Sequence, residues 1–267
     1  MNEIIEIGAV KLNSQLNEIG RFSELICPKK GKRLNKYVRG LTHIDENELK
    51  SADDLHSVLK RFKTFCKGDT LFMSWSDTDL HVFLENYRFF YHTDRIGFIK
   101  KYADLQKYVM KKLEIGSGSQ PSLSAIAERL EIPDDTVSYH RASDDSAVCG
   151  EILRRTFNQS DLKKYICVMD DEYYNRLNFK EYYISSMDDP NFDINDFERE
   201  CPDCKIKLNP TGKIKFYNGS FSRKYECQNC KKRYKLFVKI RKTYDNAIKK
   251  IRFVEIKEKK SEDERKD

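Results

Sequence analysis

The stretch NEIIEIGAVKLN, residues 2–13, decides the fold class of the chain. Residues 4–10 form an apolar run rich in β-branched side chains, which is typical of a strand in the middle of a sheet. A polar turn and a second alternating stretch follow, and the pattern ends at Pro28. The sequence therefore predicts that the chain opens on a β-hairpin whose first strand lies inside a domain.

Helices and strands then alternate along the chain. Apolar side chains recur at helical spacing in residues 55–65, and DTLFMSW, residues 69–75, predicts a short buried strand. Alternation of this kind favours an α/β fold with helices packed against a sheet. The same patterns predict a helix that starts near residue 80, a strand within residues 97–106, and helices over residues 123–130 and 143–156.

Charge and periodicity divide the chain into regions. Residues 201–267 contain 21 Lys and Arg against 9 Asp and Glu, whereas residues 1–200 contain 29 against 34. A basic surface favours phosphate-rich partners and an acidic one suits divalent metal ions, although a solvated charged face gives the same counts. We predict a first domain over residues 1–157, a connector over 158–198, a small module over 199–241 and a charged, disordered tail over 242–267.

The composition also indicates the compartment. No apolar run approaches the roughly 20 residues of a membrane span, and the N-terminus lacks the layout of a signal peptide. Four cysteines are scattered singly, at positions 27, 66, 149 and 167, which is typical of buried thiols in a reducing compartment. We therefore expect a cytoplasmic protein with no membrane partner.

The other four cysteines form two pairs, Cys201 with Cys204 and Cys227 with Cys230. Two Cys-x-x-Cys pairs supply four thiolates, the ligand set that structural Zn²⁺ prefers, with no position left open for catalysis. Between the pairs, Asn218 and Gly219 form a type I′ turn signature between aromatic-rich segments. The pattern resembles a zinc ribbon; the alternative, a redox dithiol, requires a thioredoxin-like βαβ setting that this stretch lacks.

Lysines and aromatic rings alternate in this predicted ribbon. Such interleaving can follow a nucleic-acid backbone and stack on bases. Because so small a module needs most of its rings for a core, we expect only a minority to be free for stacking. Nucleic-acid binding is the favoured interpretation, and a ribbon that docks on protein is the alternative.

A second group of polar residues lies in HRASDDSA, residues 140–147, where His140 precedes Asp145 by five positions at the start of a helix. Taken alone, such residues are usually helix caps. The His-x-Ala-x-x-Asp pattern resembles the third motif of the DEDDh 3′-to-5′ exonucleases, the DnaQ or RNase T type superfamily. Position 146, usually Ala in that motif, is Ser here.

Three further stretches resemble the same family in order, so that the resemblance covers about residues 2–156. The opening strand is similar to the second strand of that family, and LTHIDENEL, residues 41–49, to its Leu-Thr-Gly-Ile loop. SWSDTDLHVFL, residues 74–84, is similar to its second motif, where the spacing from Trp75 selects Asp79 rather than Asp77. The resemblance implies an RNase H-like mixed sheet flanked by helices.

It also implies hydrolysis of phosphodiester bonds at the 3′ ends of DNA or RNA by a pair of metal ions. Asp79 and Asp145 would be ligands of Mg²⁺ or Mn²⁺, since these ions prefer oxygen. His140, which titrates near neutrality, would be the general base that takes a proton from the attacking water. The alternatives are a solvent-facing Asp79, a capping Asp145 and a partly buried His140.

The first motif of the family, Asp-x-Glu on the first and central strand, has no counterpart in this sequence. Glu3 and Glu6 belong to the neighbouring strand and would need a shifted register to replace it. A segment at residues 165–174, YICVMDDEYY, offers an Asp-x-Glu after a strand-like run, and an ordinary connector explains it as well. We expect an incomplete chain, for example a start codon assigned too late, with impaired activity as written.

Three function classes remain open from the sequence. The leading one is a 3′-to-5′ exonuclease domain followed by a nucleic-acid-binding zinc ribbon. The second is a non-catalytic nucleic-acid-binding or regulatory protein of the same fold, and the third is an interaction adaptor whose ribbon binds protein.

Overall fold

The computed structural model describes residues 3–30, 36–116, 118–133 and 141–256. The chain divides into two compact units, Met1–Leu177 and Asn178–Asp267, and each is described by itself. Among the described residues, no helix has both the length and the apolar character that crossing a membrane requires.

The first unit opens on the predicted hairpin. Strands β1, Glu6–Leu12, and β2, Glu18–Leu25, pair antiparallel, with Glu6 opposite Leu25 and Val10 opposite Arg21. Ile7 on β1 and Phe22 on β2 are buried. The period-two pattern of the sequence therefore predicted this hairpin correctly.

A second sheet of the first unit contains three short strands. β3, Leu71–Ser74, and β4, Lys101–Asp104, are parallel, and β5, Cys167–Val168, pairs antiparallel with β4. Within the described residues, β1 and β3 lie in separate sheets, and each has one edge without a described strand beside it. Because β5 lies on the side of β4 away from β3, residues 165–174 do not supply a replacement first strand, and that alternative is wrong for the described chain.

Four of the helices lie where apolar periodicity predicts them. In one case the Asp54 side chain accepts a hydrogen bond from the Ser57 backbone at 2.9 Å, and the helix then buries its apolar face. The helices are α1 (Lys36–Thr42), α2 (Glu46–Ser51), α3 (Leu55–Phe65), α4 (Thr78–Tyr91), α5 (Leu105–Lys112), α6 (Leu123–Arg129), α7 (Ala142–Thr156), α8 (Gln159–Leu162) and α9 (Asp171–Asn178), with 3₁₀ turns at Lys163–Tyr165 and Ile194–Phe197.

Two apolar clusters hold these elements together. The hairpin, α3, α4 and β4 share one cluster, in which Phe22, Leu59 and Tyr102 are buried. Helices α5, α6 and α7 share the other, around Tyr108 and Ile152. The first unit is thus the mixed α/β domain that the sequence predicted.

The second unit is a six-stranded sheet. A tight turn at Asn218 and Gly219, with φ of 48° and 71°, joins two of its strands and has the positive φ values of the predicted type I′ turn. The strands are β6 (Tyr182–Tyr183), β7 (Asn209–Pro210), β8 (Lys215–Tyr217), β9 (Ser220–Glu226), β10 (Arg233–Lys242) and β11 (Ala247–Glu255), in the order β11-β10-β9-β7, with β6 also paired to β10 and β8 to β9.

Two predicted boundaries differ from the structure. The predicted connector, residues 158–198, is divided between the units at residue 177 and contains helices and short strands. The predicted tail, residues 242–267, contains β11, which pairs with β10 from Tyr234 to Lys242. Its lysines concealed an alternation that brings Phe253 onto Tyr234, with ring centroids 5.1 Å apart; residues 257–267 lie outside the described residues.

Candidate active site and cysteine cluster

Asp79 lies in the first turn of α4, directly after β3 and a short turn. Side chains at such strand-to-helix junctions project towards the end of the sheet. Asp79 is an exposed residue, as the solvent-facing alternative expects, yet the neighbouring protein displaces enough water from its carboxyl group to raise the pKa, and the negative charge of Asp145 raises that pKa further. The two carboxylates are therefore close enough to interact.

Asp145 lies in the first turn of α7, where its backbone N–H bonds the Arg141 carbonyl at 3.0 Å. The start of this helix is fixed against β1. The Ala142 N–H donates to Glu6 Oε2 at 3.3 Å, and Ser146 Oγ donates to the Gly8 carbonyl at 3.0 Å. The hairpin thus sets the position of Asp145.

Cys149 lies one helical turn beyond Asp145, and its thiol is near enough to both Asp145 and Asp79 for their negative charges to affect it. Burial raises the pKa of its thiol well above the ordinary range, and the charges of Asp145 and then Asp79 raise it further. Cys149 is half-buried, and a thiol with a raised pKa is neutral and a weak nucleophile at neutral pH. The two carboxylates, with the neutral Cys149 thiol beside them, form an oxygen-rich, negatively charged site.

The neighbouring acids have other partners. Asp77 pairs with Lys107 Nζ at 3.1 Å. Glu6 accepts hydrogen bonds from Arg141 Nε at 3.0 Å and from the start of α7, and Glu3 accepts from the backbone N–H of Lys29 at 2.9 Å. Neither glutamate joins Asp79 and Asp145, in keeping with their assignment to the neighbouring strand. His140 lies outside the described residues.

The sequence missed the residues that position Asp145. Arg141, Gly8 and Ser146 do not belong to a ligand pattern, and their contacts join segments more than 130 positions apart. One signal of these contacts was present in the sequence, the Ser in place of Ala at position 146. A hydroxyl in the first turns of a helix bonds either its own backbone or a neighbouring segment.

Comparison with known proteins shows the family. The model of the Exonuclease family, RNase_T, matches residues 1–153, which is more than half of the chain. The chain belongs to this family. Two PolC-type DNA polymerase III proteins, from Lactococcus lactis subsp. lactis and Streptococcus thermophilus, are each 35% identical over 86 residues, or 32% of this chain. The chain covers only 5% and 6% of those two relatives.

Solved structures show the same fold. A full-length 3′-exonuclease is 21% identical, with a TM-score of 0.52, and the match covers 63% of this chain and 81% of that one. The nuclease domain of 3′hExo, described as a DEDDh family member bound to rAMP, is 23% identical, with a TM-score of 0.51 over 57% and 80% of the two chains. Residues of the first unit therefore have the RNase H-like mixed α/β fold.

The four paired cysteines of the second unit converge. The Sγ atoms of Cys201, Cys204, Cys227 and Cys230 all lie within 4.8 Å of one another, and this is the one such cluster among the described residues. The Sγ atoms of Cys201 and Cys230 are 3.6 Å apart. Two sulfurs bound to one tetrahedral Zn²⁺ at about 2.3 Å are about 3.8 Å apart, so the cluster is compatible with a small zinc ribbon.

The two cysteine pairs have the same local backbone. Lys205 N–H bonds the Cys201 carbonyl and Lys231 N–H bonds the Cys227 carbonyl, each at 2.9 Å, and both lysines are left-handed, with φ of 57° and 58°. Burial raises the pKa of the Cys201 thiol, but hydrogen bonds from Cys204 N–H and the Tyr234 hydroxyl outweigh it and lower the pKa to about 6. At Cys230 a hydrogen bond from Lys232 N–H lowers the pKa, but burial and hydrogen bonds with Cys227 and Cys201 outweigh it and raise the pKa to about 12. Thiolate, the form that binds Zn²⁺, is therefore favoured at Cys201 and not at Cys230.

Proposed function

We propose that this protein hydrolyses phosphodiester bonds at the 3′ ends of nucleic acids with a pair of divalent metal ions. The observation that supports this most strongly is that Asp79 and Asp145, on two different helices, are near enough for the charge of Asp145 to raise the pKa of Asp79, because a bound cation relieves such repulsion. Their oxygens suit Mg²⁺ or Mn²⁺. The family to which the chain belongs supports the same class of reaction.

Each residue has one role in this proposal. Asp79 and Asp145 hold the metal ions, which when bound would activate water and stabilise the leaving 3′ oxygen. His140 accepts the proton of the attacking water, as the family motif implies. Arg141 and Ser146 do not react; their contacts with β1 keep the start of α7, and with it Asp145, in place.

The second candidate is a non-catalytic nucleic-acid-binding or regulatory protein of the same fold. The observation that favours it concerns only the described residues: no third acidic side chain joins Asp79 and Asp145 there, and Glu6 is held by Arg141 with only 6% of its side chain exposed. A two-metal site normally needs several carboxylates. The two candidates therefore differ in whether metal ions produce hydrolysis or only binding.

Strand ends labelled separately test the proposal. We expect Mg²⁺-dependent release of labelled mononucleotide from a 3′-labelled single strand, and a ladder of shortened products from a 5′-labelled one. Asp145→Asn and His140→Ala should abolish both, whereas Asp161→Asn, a surface change on α8, should not. The measurement is made on the 267-residue chain and on a form extended by the upstream reading frame.

The outcomes separate the candidates. Release by either form, lost in Asp145→Asn, supports the enzyme; release by the extended form alone would place the missing acids in preceding residues. If neither form releases nucleotide while both bind the strand, the enzymatic proposal fails and the non-catalytic candidate replaces it.

We also propose that the four-cysteine cluster holds one structural Zn²⁺ as a zinc ribbon. With four sulfur ligands the ion has no open position, so its role is to fix the fold of the second unit. Metal analysis of the purified protein should find one zinc ion per chain.

A further inference from the structure

The sheet of the second unit has two faces of opposite character. Residues that lie directly opposite each other in antiparallel strands have side chains on the same face. Tyr234, Leu236, Val238 and Ile240 on β10 are buried, so the alternate residues of β10 and their partners on β8, β9 and β11 form the other face, here called the outer sheet face.

The outer sheet face is strongly cationic. On β10, Lys235 lies opposite Lys224 of β9, and Lys239 lies opposite Lys250 of β11. Like charges opposite each other oppose folding, so their accumulation needs another explanation. The one acidic residue among the opposed positions is Glu226, and the cationic residues are Lys215, Lys224, Arg233, Lys235, Lys239, Arg241, Lys250 and Arg252.

Aromatic rings lie among these charges. Phe237 has Lys235 Nζ at 4.7 Å and the Arg252 guanidinium carbon at 4.5 Å from its ring centroid. The Tyr183 ring lies 4.1 Å from Lys239 Nζ. Tyr217, opposite Ser220, is 76% exposed. The face therefore offers cations held by rings, and in Tyr217 a ring that is open to a partner.

These features fit one class of partner. A row of lysines and arginines alone suits any polyanion, including an anionic lipid surface, which needs no rings in register with the charges. Unpaired bases stack on exposed tyrosine rings and on guanidinium planes, while their phosphates contact lysine. A duplex hides its base faces, so only its phosphates would be bound.

We propose that the outer sheet face binds single-stranded nucleic acid, with Tyr217 as a base-stacking residue and the central lysines as phosphate contacts. This proposal rests on one part of the proposed function, namely that the substrate is a nucleic acid. It does not require that the protein hydrolyses that nucleic acid. It does not depend on Zn²⁺ beyond the folding of the sheet.

Fluorescence anisotropy of a labelled single strand of mixed sequence measures this binding. The full chain with Asp145→Asn is used, so that cleavage does not interfere. Replacing Lys224, Lys235 and Lys239 by Gln should weaken binding about tenfold or more and reduce the salt slope by about 2, because each lost phosphate contact contributes about 0.7. The charge-matched control replaces Lys205, Lys207 and Lys231 of the cysteine pairs and should bind like the parent.

Tyr217→Ala tests the stacking step without a change of charge. It should weaken single-strand binding at least about fivefold and leave binding of a blunt duplex unchanged, whereas Tyr182→Ala, whose register places it on the other face, should alter neither. Circular dichroism and zinc content, equal to those of the parent, show that each variant is folded.

Equal binding by the outer-face and control lysine variants would overturn the proposal. So would weakened duplex binding in Tyr217→Ala, or binding of phosphatidylserine vesicles but not of the single strand. Hydrolysis is measured separately. Binding through this face without cleavage supports this proposal and contradicts the proposed function, whereas cleavage without binding through this face supports the proposed function and contradicts this proposal.

Discussion

Replacing Gly8 with Ala should displace the helix that carries Asp145. A Cβ atom built on Gly8 would lie 2.0 Å from the Ser143 backbone nitrogen and 2.1 Å from the Ala142 carbonyl carbon, where ordinary contact begins at 3.4 Å. Both neighbours are backbone atoms, so no rotamer change relieves the clash. Strand β1 and the start of α7 must separate by more than 1 Å.

The displacement has two measurable consequences. Overpacking of this kind costs about 1–3 kcal/mol of unfolding free energy, and the hydrogen bonds from α7 to Glu6 and to the Gly8 carbonyl are lost or lengthened. A misplacement of about 1 Å at reacting groups reduces rates about 100-fold. We therefore expect Gly8→Ala to lower both stability and nuclease activity, the activity more than the stability explains.

Urea unfolding followed by the fluorescence of Trp75 measures the first effect. Trp75 is the single tryptophan of the chain and reports on the first unit alone. The matched control is Gly97→Ala, because nothing lies within 4 Å of a Cβ built there. If Gly8→Ala matched that control within about 0.5 kcal/mol, the range of neutral surface changes, the argument that β1 positions α7 would be refuted.

Four further predictions follow from single groups. Asp79→Asn should raise the urea midpoint at neutral pH. The pKa of Asp79 is higher in the folded state than in the unfolded state, so the parent loses stability as pH rises through that pKa, and the stability gained by the variant should vanish below about pH 4. Mg²⁺ should stabilise the parent but not the variant. Asp161→Asn should do the opposite at neutral pH, since hydrogen bonds from Lys164 and Lys112 lower its pKa. Ser146→Ala, although it restores the usual residue of the motif, should cost about 1 kcal/mol in the same unfolding assay, and an unchanged midpoint would show that water satisfies the Gly8 carbonyl. Cys227→Ser should remove zinc and unfold the second unit by circular dichroism, whereas Cys167→Ser, an exposed thiol of the first unit, should do neither; a folded second unit without zinc would disprove the structural role.

Local patterns predicted the elements whose cause is local. Helix α3 and the hairpin follow from spacing and caps over a few residues, and the turn at Asn218 and Gly219 follows from its own φ requirements. Helix α2 was missed although its capping box was present: Asp45 accepts from Asn47 N–H, and Glu48 accepts from the Asp45 N–H at 3.1 Å. Here the resemblance to a family loop concealed a local signal.

Strand β11 was missed for a different reason. Its positions alternate between partners of buried and of outward β10 residues, yet lysines occupy both sets, so the period-two pattern is weak in the sequence. Pairing with β10 stabilises the extended conformation of β11 although its side-chain pattern is weak, because main-chain hydrogen bonds do not depend on side-chain polarity. Of the charged residues of β11, Lys250 and Arg252 lie on the outer sheet face, and Lys249 and Glu255 are opposite buried residues of β10.

The contact between Gly8 and Ser146 shows how the candidate site depends on the edge of β1 that has no described strand beside it. Ile26 N–H bonds the Ile5 carbonyl at 2.8 Å, so the odd-numbered carbonyls of β1 point to β2 and the Gly8 carbonyl points the other way. Ser146 Oγ reaches that carbonyl at 3.0 Å and its own helix at Ala142 O at 2.7 Å, and shares one proton between them. Because Gly8 has no Cβ, the start of α7 lies close enough for the Ser146 hydroxyl to donate to the Gly8 carbonyl. The same two residues therefore satisfy one backbone carbonyl of β1 and hold Asp145 in position.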